Sequence, residues 1–145
     1  MKEMTTGTDT RESRELRGEV MAFDLLDEVE RLRAEPEWAE RGRTSKTLAK
    51  APEFRLVLTL LREGAEIGDA DAHAPLAVQV LDGRILAGRS EERVDIDRGG
   101  VAWFSPGPGW HARAASDAAL LLAMAWPEER AEVEPTPASS AENVR

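Results

Sequence analysis

The sequence predicts an all-β sandwich or barrel with a single helix ahead of it. Three observations carry that prediction. A helical hydrophobic period occurs only before residue 45. After it the period becomes two, in short runs. Between the runs stand Asp-Gly, Gly-Gly and Pro-Gly signals, each of which turns the chain.

The chain's 145 residues suit one domain. Residues 1–17 are rich in Thr, Glu and Arg, and residues 131–145 in Pro, Ser and Glu. Both read as disordered tails, because neither has enough apolar surface to offset the entropy of ordering. A leader helix segment fills 18–44 and the barrel 45–130. In "FDLLDEVERLRAEP", Asp24 is placed to cap the free amides of the first turn. Leu25, Val29 and Leu32 fall on one stripe, which Leu26 widens. Pro36 ends the helix, and a further turn follows around Trp38. One helix cannot bury that stripe alone, so it must cover a sheet face or an edge.

In "FRLVLTLL", Phe54, Leu56, Leu58 and Leu60 share one face, and Arg55, Val57 and Thr59 the other. "LAVQVLDGRILAG" reads as a hairpin, with Asp82-Gly83 supplying the positive φ of a type I′ turn. Gln79, between Val78 and Val80, lies off their face. "ERVDI", "VAWF" and "WHARA" read as further strands, with "DRGG" and "SPGPG" as turns. "SDAALLLAMAW" is read as the last strand: Ala and Leu favour helix, but its place after a run of strands decides.

Lys+Arg 19 against Asp+Glu 28 gives a net charge of -9, which argues against nucleic acid or an anionic membrane as partner. Zero cysteines removes disulfides and thiolate-held zinc. No run approaches the roughly 20 apolar residues of a membrane span, and no signal stretch opens the chain, so a cytoplasmic protein is expected. No G-x-S-x-G, P-loop or G-x-G-x-x-G is present.

One stretch gathers metal-ligand residue types. "IGDADAHAP" sets Asp69, Asp71 and His73 at alternate positions, one face of an extended strand. On a straight strand, residues four apart are about 13 Å apart, so all three cannot reach one ion. Pro75 can bend the chain after His73 and bring it inward. The preferred reading is a solvated turn, since Asp bonds its own backbone there.

"LREGAEIGDADAHAPLAVQVLDGRI", followed by "GGVAWFSPGPGWHARAASDAALLLAMAW", resembles a small single-domain cupin of the RmlC-like kind, over about residues 45–126. The leader is similar to that of a largely uncharacterised subgroup. The second motif fits in spacing: Gly100, five residues, Pro106, and His111 at the ligand position. Pro108 replaces its usual Gly and Ala115 its usual Asn. The first motif is degenerate. Counting back from Gly83 puts Leu76 at the Glu position. The H-x-H pair falls on Asp69 and Asp71, or on Ala70 and Ala72 in the register that Gly64 fits better.

The resemblance implies a jelly-roll barrel, the double-stranded β-helix of cupins. It also implies a site in which three imidazoles and a carboxylate hold a divalent metal. Here His111, Asp69, Asp71 and His73 are the candidate ligands, a set suited to Mn, Fe or Zn. The missing Glu favours a metal-free reading: a non-enzymatic barrel that binds a small molecule or serves regulation. The alternative is a metal-dependent enzyme of dioxygenase or isomerase type, using His111 and nearby carboxylates. The candidate pocket residues are His111, His73, Arg84, Arg113 and Trp103. Either arginine, if inward, would bind a carboxylate through its planar fork. Trp103, Trp110 and Trp126 would line a pocket or dimer face, or simply pack the core. A homodimer is expected, because small cupins commonly pair and barrel edges need cover.

Overall fold

A computed structural model of the protein describes residues 19–125. The two expected tails and Trp126 lie outside the described residues. Helices α1 (Leu25–Arg33) and α2 (Pro36–Arg41) lead into nine strands. These are β1 (Arg43–Ala51), β2 (Phe54–Leu61), β3 (Glu66–Gly68), β4 (Leu76–Asp82), β5 (Arg84–Arg89), β6 (Glu92–Asp97), β7 (Val101–Phe104), β8 (His111–Ala114) and β9 (Ala118–Ala125). They form a five-stranded sheet in the order β1-β2-β9-β4-β7 and a four-stranded sheet in the order β3-β8-β5-β6. Every pairing is antiparallel. Among the described residues no helix is long and apolar enough to cross a membrane.

Asp24 caps α1: its carboxylate accepts from the Asp27 amide at 3.2 Å. Val29 and Leu32 are buried and Leu25 packs beside them, whereas Leu26 stands in solvent. The apolar stripe is therefore narrower than expected, because the helix touches the sheet along one line only. Pro36 does not simply stop α1; it opens α2 at its first turn, where a missing N–H costs nothing.

The helices rest on the outer face of the five-stranded sheet. Leu58, Leu60 and Ala119 pack there against Val29 and Leu32, and a bulge between Thr47 and Ala49 turns Leu48 under them. One ion pair is sealed in this layer, with Lys46 Nζ 2.7 Å from Glu28 Oε1 and both side chains buried. Removing either partner would strand the other's charge.

Between the sheets lies the main core, with Val57, Val78, Val80, Ile85, Ala87, Ala112, Ala114 and Leu122 among its members. β2 is thus covered on both sides. Its leucines Leu58 and Leu60 face the helices, while Val57 and Leu61 face the lumen.

The hairpin expected at Asp82-Gly83 does not form. β4 pairs with β9 and β7, and β5 with β8 and β6, so Gly83 marks a corner where the chain crosses between sheets. The glycine is still required. Its φ is 84°, and a Cβ there would stand 2.1 Å from the Asp117 carbonyl oxygen. Asp-Gly specifies the bend but not the partner of the strand that follows it.

Candidate functional site

The residues of the two motifs meet at one mouth of the barrel, through their backbones. Residues 69–73 are not a strand but a turn and loop between β3 and β4. Asp69 is buried, and its Oδ1 accepts from the Asp71 amide at 3.0 Å, the local bond that makes aspartate a turn residue. Asp71 and His73 are exposed, and His73 Nδ1 lies 3.0 Å from the Asp71 carbonyl oxygen. Three backbone hydrogen bonds join this loop to the one between β7 and β8. The Asp69 amide donates to Trp110 O at 3.1 Å, Gly109 N to Ala72 O at 2.9 Å, and Gly107 N to His73 O at 3.0 Å.

Arg89, at the end of β5, holds the second loop from its other side. Its Nε donates to Gly109 O at 2.8 Å and its Nη2 to Ser105 O at 2.9 Å. The guanidinium carbon lies 5.7 Å from the centre of the Phe104 ring, within cation–π range. A Cβ on Gly107 would come within 2.9 Å of Arg89 Nη1, so a larger residue there would shift the guanidinium.

His111 opens β8, between Gly68 of β3 and Gly88 of β5 in the register. A Cβ on Gly88 would stand 3.1 Å from His111 Cε1, so the imidazole lies across a glycine floor. Ala112 and Ala114 fill the lumen, so alternation turns His111 and Arg113 to the outer face. Arg84 is also exposed, 3.7 Å from Asp95, and Arg113 is 4.0 Å from Glu66. Trp103 stands on the outer face of the other sheet. Of the five expected pocket residues, His111 alone lines the open cleft of about 510 Å³ beside the mouth. Its other walls include Arg43, Glu66, Asp69, Arg89 and Trp110.

The sequence matches no protein-family model and no curated protein. Solved structures do resemble it. A cupin superfamily protein from Desulfitobacterium hafniense aligns with a TM-score of 0.61 at 13% identity, covering 78% of this chain and 96% of that one. An RmlC-like cupin from Desulfovibrio desulfuricans gives 0.55 at 18% identity, over 65% and 92%. The cupin domain of an XRE-family transcriptional regulator from Enterobacter cloacae gives 0.54 at 16%, over 60% and 99%.

The chain has the cupin fold. The metal set implied by the cupin motifs does not fit its residues. Leu76, at the Glu position, is buried among apolar neighbours. Phe104 and Trp110 pack in the same core, ring centroids 6.0 Å apart. Asp69 is committed to its turn, His111 faces outward, and Asp71 and His73 point to water. Among the described residues no three His, Cys, Asp or Glu side chains are grouped to hold an ion.

Two residues of this barrel mouth escaped sequence reasoning. Arg89 is one. Its signal was indirect: "SPGPG" contains two prolines without N–H groups, so its carbonyls need donors from elsewhere. Arg43 is the other, at the first position of β1, with its Nη1 donating to Glu66 O at 2.9 Å. No sequence signal distinguished it from other exposed arginines.

Proposed function

We propose that this cupin is a non-catalytic binding module that takes a small polar molecule in the cleft beside the barrel mouth and works without a metal. One observation carries the reading. The loops that would present metal ligands spend their backbones on each other and on Arg89, above a lumen filled by apolar side chains. What stays open is the neighbouring cleft of about 510 Å³, inside the roughly 300–1,000 Å³ of small-molecule sites. Arg43 and His111 offer it a cation and an imidazole, and Trp110 contributes to its wall. A small molecule with an acidic or acceptor group matches that chemistry. A regulatory role for such binding is in keeping with the likeness to a regulator's cupin domain. The cytoplasmic setting expected from the sequence belongs to the same reading.

Thermal-shift screening of small carboxylates, sugars and nucleosides tests it. A ligand at 100 times its Kd should stabilise the protein by about 2.7 kcal/mol. That shift should vanish in His111→Ala and Arg43→Ala and persist in Arg84→Ala. A shift that survives both cleft substitutions would remove the cleft from the account.

A further inference from the structure

The outer face of the four-stranded sheet is balanced in charge except along one row. Arg84 lies 3.7 Å from Asp95, and Arg113 lies 4.0 Å from Glu66. Each of these cations meets a carboxylate on a neighbouring strand. The row beside the cleft differs. The pairings align Gly68, His111, Gly88 and Arg93 across β3, β8, β5 and β6. That row holds an imidazole and a guanidinium and no carboxylate. Among the described residues Arg93 makes no ion pair. Arg43, elsewhere on the cleft wall, donates to the Glu66 carbonyl oxygen and likewise has no carboxylate partner among the described residues.

Gly88 brings the side chains of that row together. A Cβ there would stand 3.1 Å from His111 Cε1 and 3.2 Å from Arg93 Cγ, so the imidazole and the arginine stem meet over this one position. It would also stand 2.6 Å from the Glu92 carbonyl oxygen, so the position must stay bare. The backbones of His111 and Arg93 are two strand spacings apart, roughly 10 Å, yet both side chains lean over the strand between them. The nearby carboxylates are engaged elsewhere. Glu66 faces Arg113, Asp69 accepts from its own turn, and alternation turns Glu92 to the opposite face from Arg93.

Taking the cleft as the binding site, as proposed above, we infer that its ligand is a small phosphate ester whose phosphate sits between His111 and Arg93. Charge balance selects phosphate over carboxylate. Arg43 and Arg93 carry two positive charges that no described carboxylate offsets. A phosphate monoester brings about 1.5 to 2 negative charges at pH 7, and a carboxylate only one. Shape agrees. The donors come from separate strands rather than from one planar fork, and a tetrahedral group with three free oxygens accepts from several directions at once. In a chain of net charge -9, two unbalanced arginines beside one cleft also give an anion its favourable approach.

The chain has two histidines, so its imidazole Cε1–H protons give two NMR resonances, told apart with His73→Gln. Titrating the full chain with inorganic phosphate and phenyl phosphate, and in parallel with acetate and benzoate, reads binding at His111. Both phosphates should move the His111 resonance saturably, with a Kd of about 1 mM or below, while the His73 resonance stays still. The carboxylates should bind about tenfold more weakly or worse. Arg93→Met should weaken phosphate by about tenfold or more, Arg93→Lys by less, and Arg84→Met on the same face not at all, each with unchanged circular dichroism. Carboxylates that match the phosphates, or phosphate binding indifferent to Arg93→Met, overturn the inference and leave the cleft to another acid. Phosphate that moves neither histidine, or both equally, overturns it too; the cleft itself falls only if the thermal-shift screen also finds no ligand that depends on His111 and Arg43.

Discussion

The two sheets of this barrel are built to opposite specifications. In the five-stranded sheet β2 is buried on both faces, and its outer leucines need a second layer. In the four-stranded sheet the alternation is clean: Ile85, Ala87, Ala112 and Ala114 face inward, while Arg84, Arg113, His111 and Asp95 face water. One sheet recruits cover and the other presents chemistry. The leader helices, with their sealed Glu28–Lys46 pair, belong to the first. The cleft lies against the second.

The sharpest way to break this contrast is a truncation on each outer face. Leu58→Ala, beneath the helices, should cost about 2–5 kcal/mol in urea unfolding. Leu86→Ala, partly buried between Arg113 and Asp95, should cost less, about 1–2 kcal/mol. Equal losses would mean that the helix layer adds little. Next in size is Glu28→Ala, at about 3 kcal/mol, since it leaves the Lys46 ammonium buried without its carboxylate. The double change Glu28→Leu with Lys46→Met should recover most of that loss, separating packing from charge.

Arg89→Met should cost about 2 kcal/mol, because the Gly109 and Ser105 carbonyls lose their donor. Hydrogen exchange should show faster opening of residues 105–110 and no change in β1 or β2. The smallest effect is Arg84→Ala. Its pair with Asp95 is more than half exposed, so the change should stay within about 0.5 kcal/mol and shrink with salt.

Much of the fold was legible in the sequence because its signals were local. The Asp24 cap, the period of two and the left-handed Gly83 each depend on a few adjacent residues. The last strand was legible only by its place after other strands. What failed was non-local. Asp82-Gly83 encodes a reversal, yet whether β5 returns beside β4 or crosses to the other sheet depends on β8 and β9.

The candidate site divides the same way. Motif counting located the two loops that meet at the mouth, and the turn reading of Asp69 rests on a bond to its own backbone. Counting could not tell that Ala112, one residue past His111, takes the lumen position, because a slip of one residue exchanges the faces of a strand. Nor could it find Arg89, whose role exists only once Ser105, Gly107 and Gly109 are beside it.

In the function proposed above, the barrel mouth is tied shut by backbone and arginine rather than assembled around an ion. Metal content by mass spectrometry tests it most directly, on protein incubated with Mn, Fe(II) or Zn and then desalted. Far less than one ion per chain is expected, with the same trace amount in His111→Ala. One ion per chain, lost in His111→Ala, would contradict it.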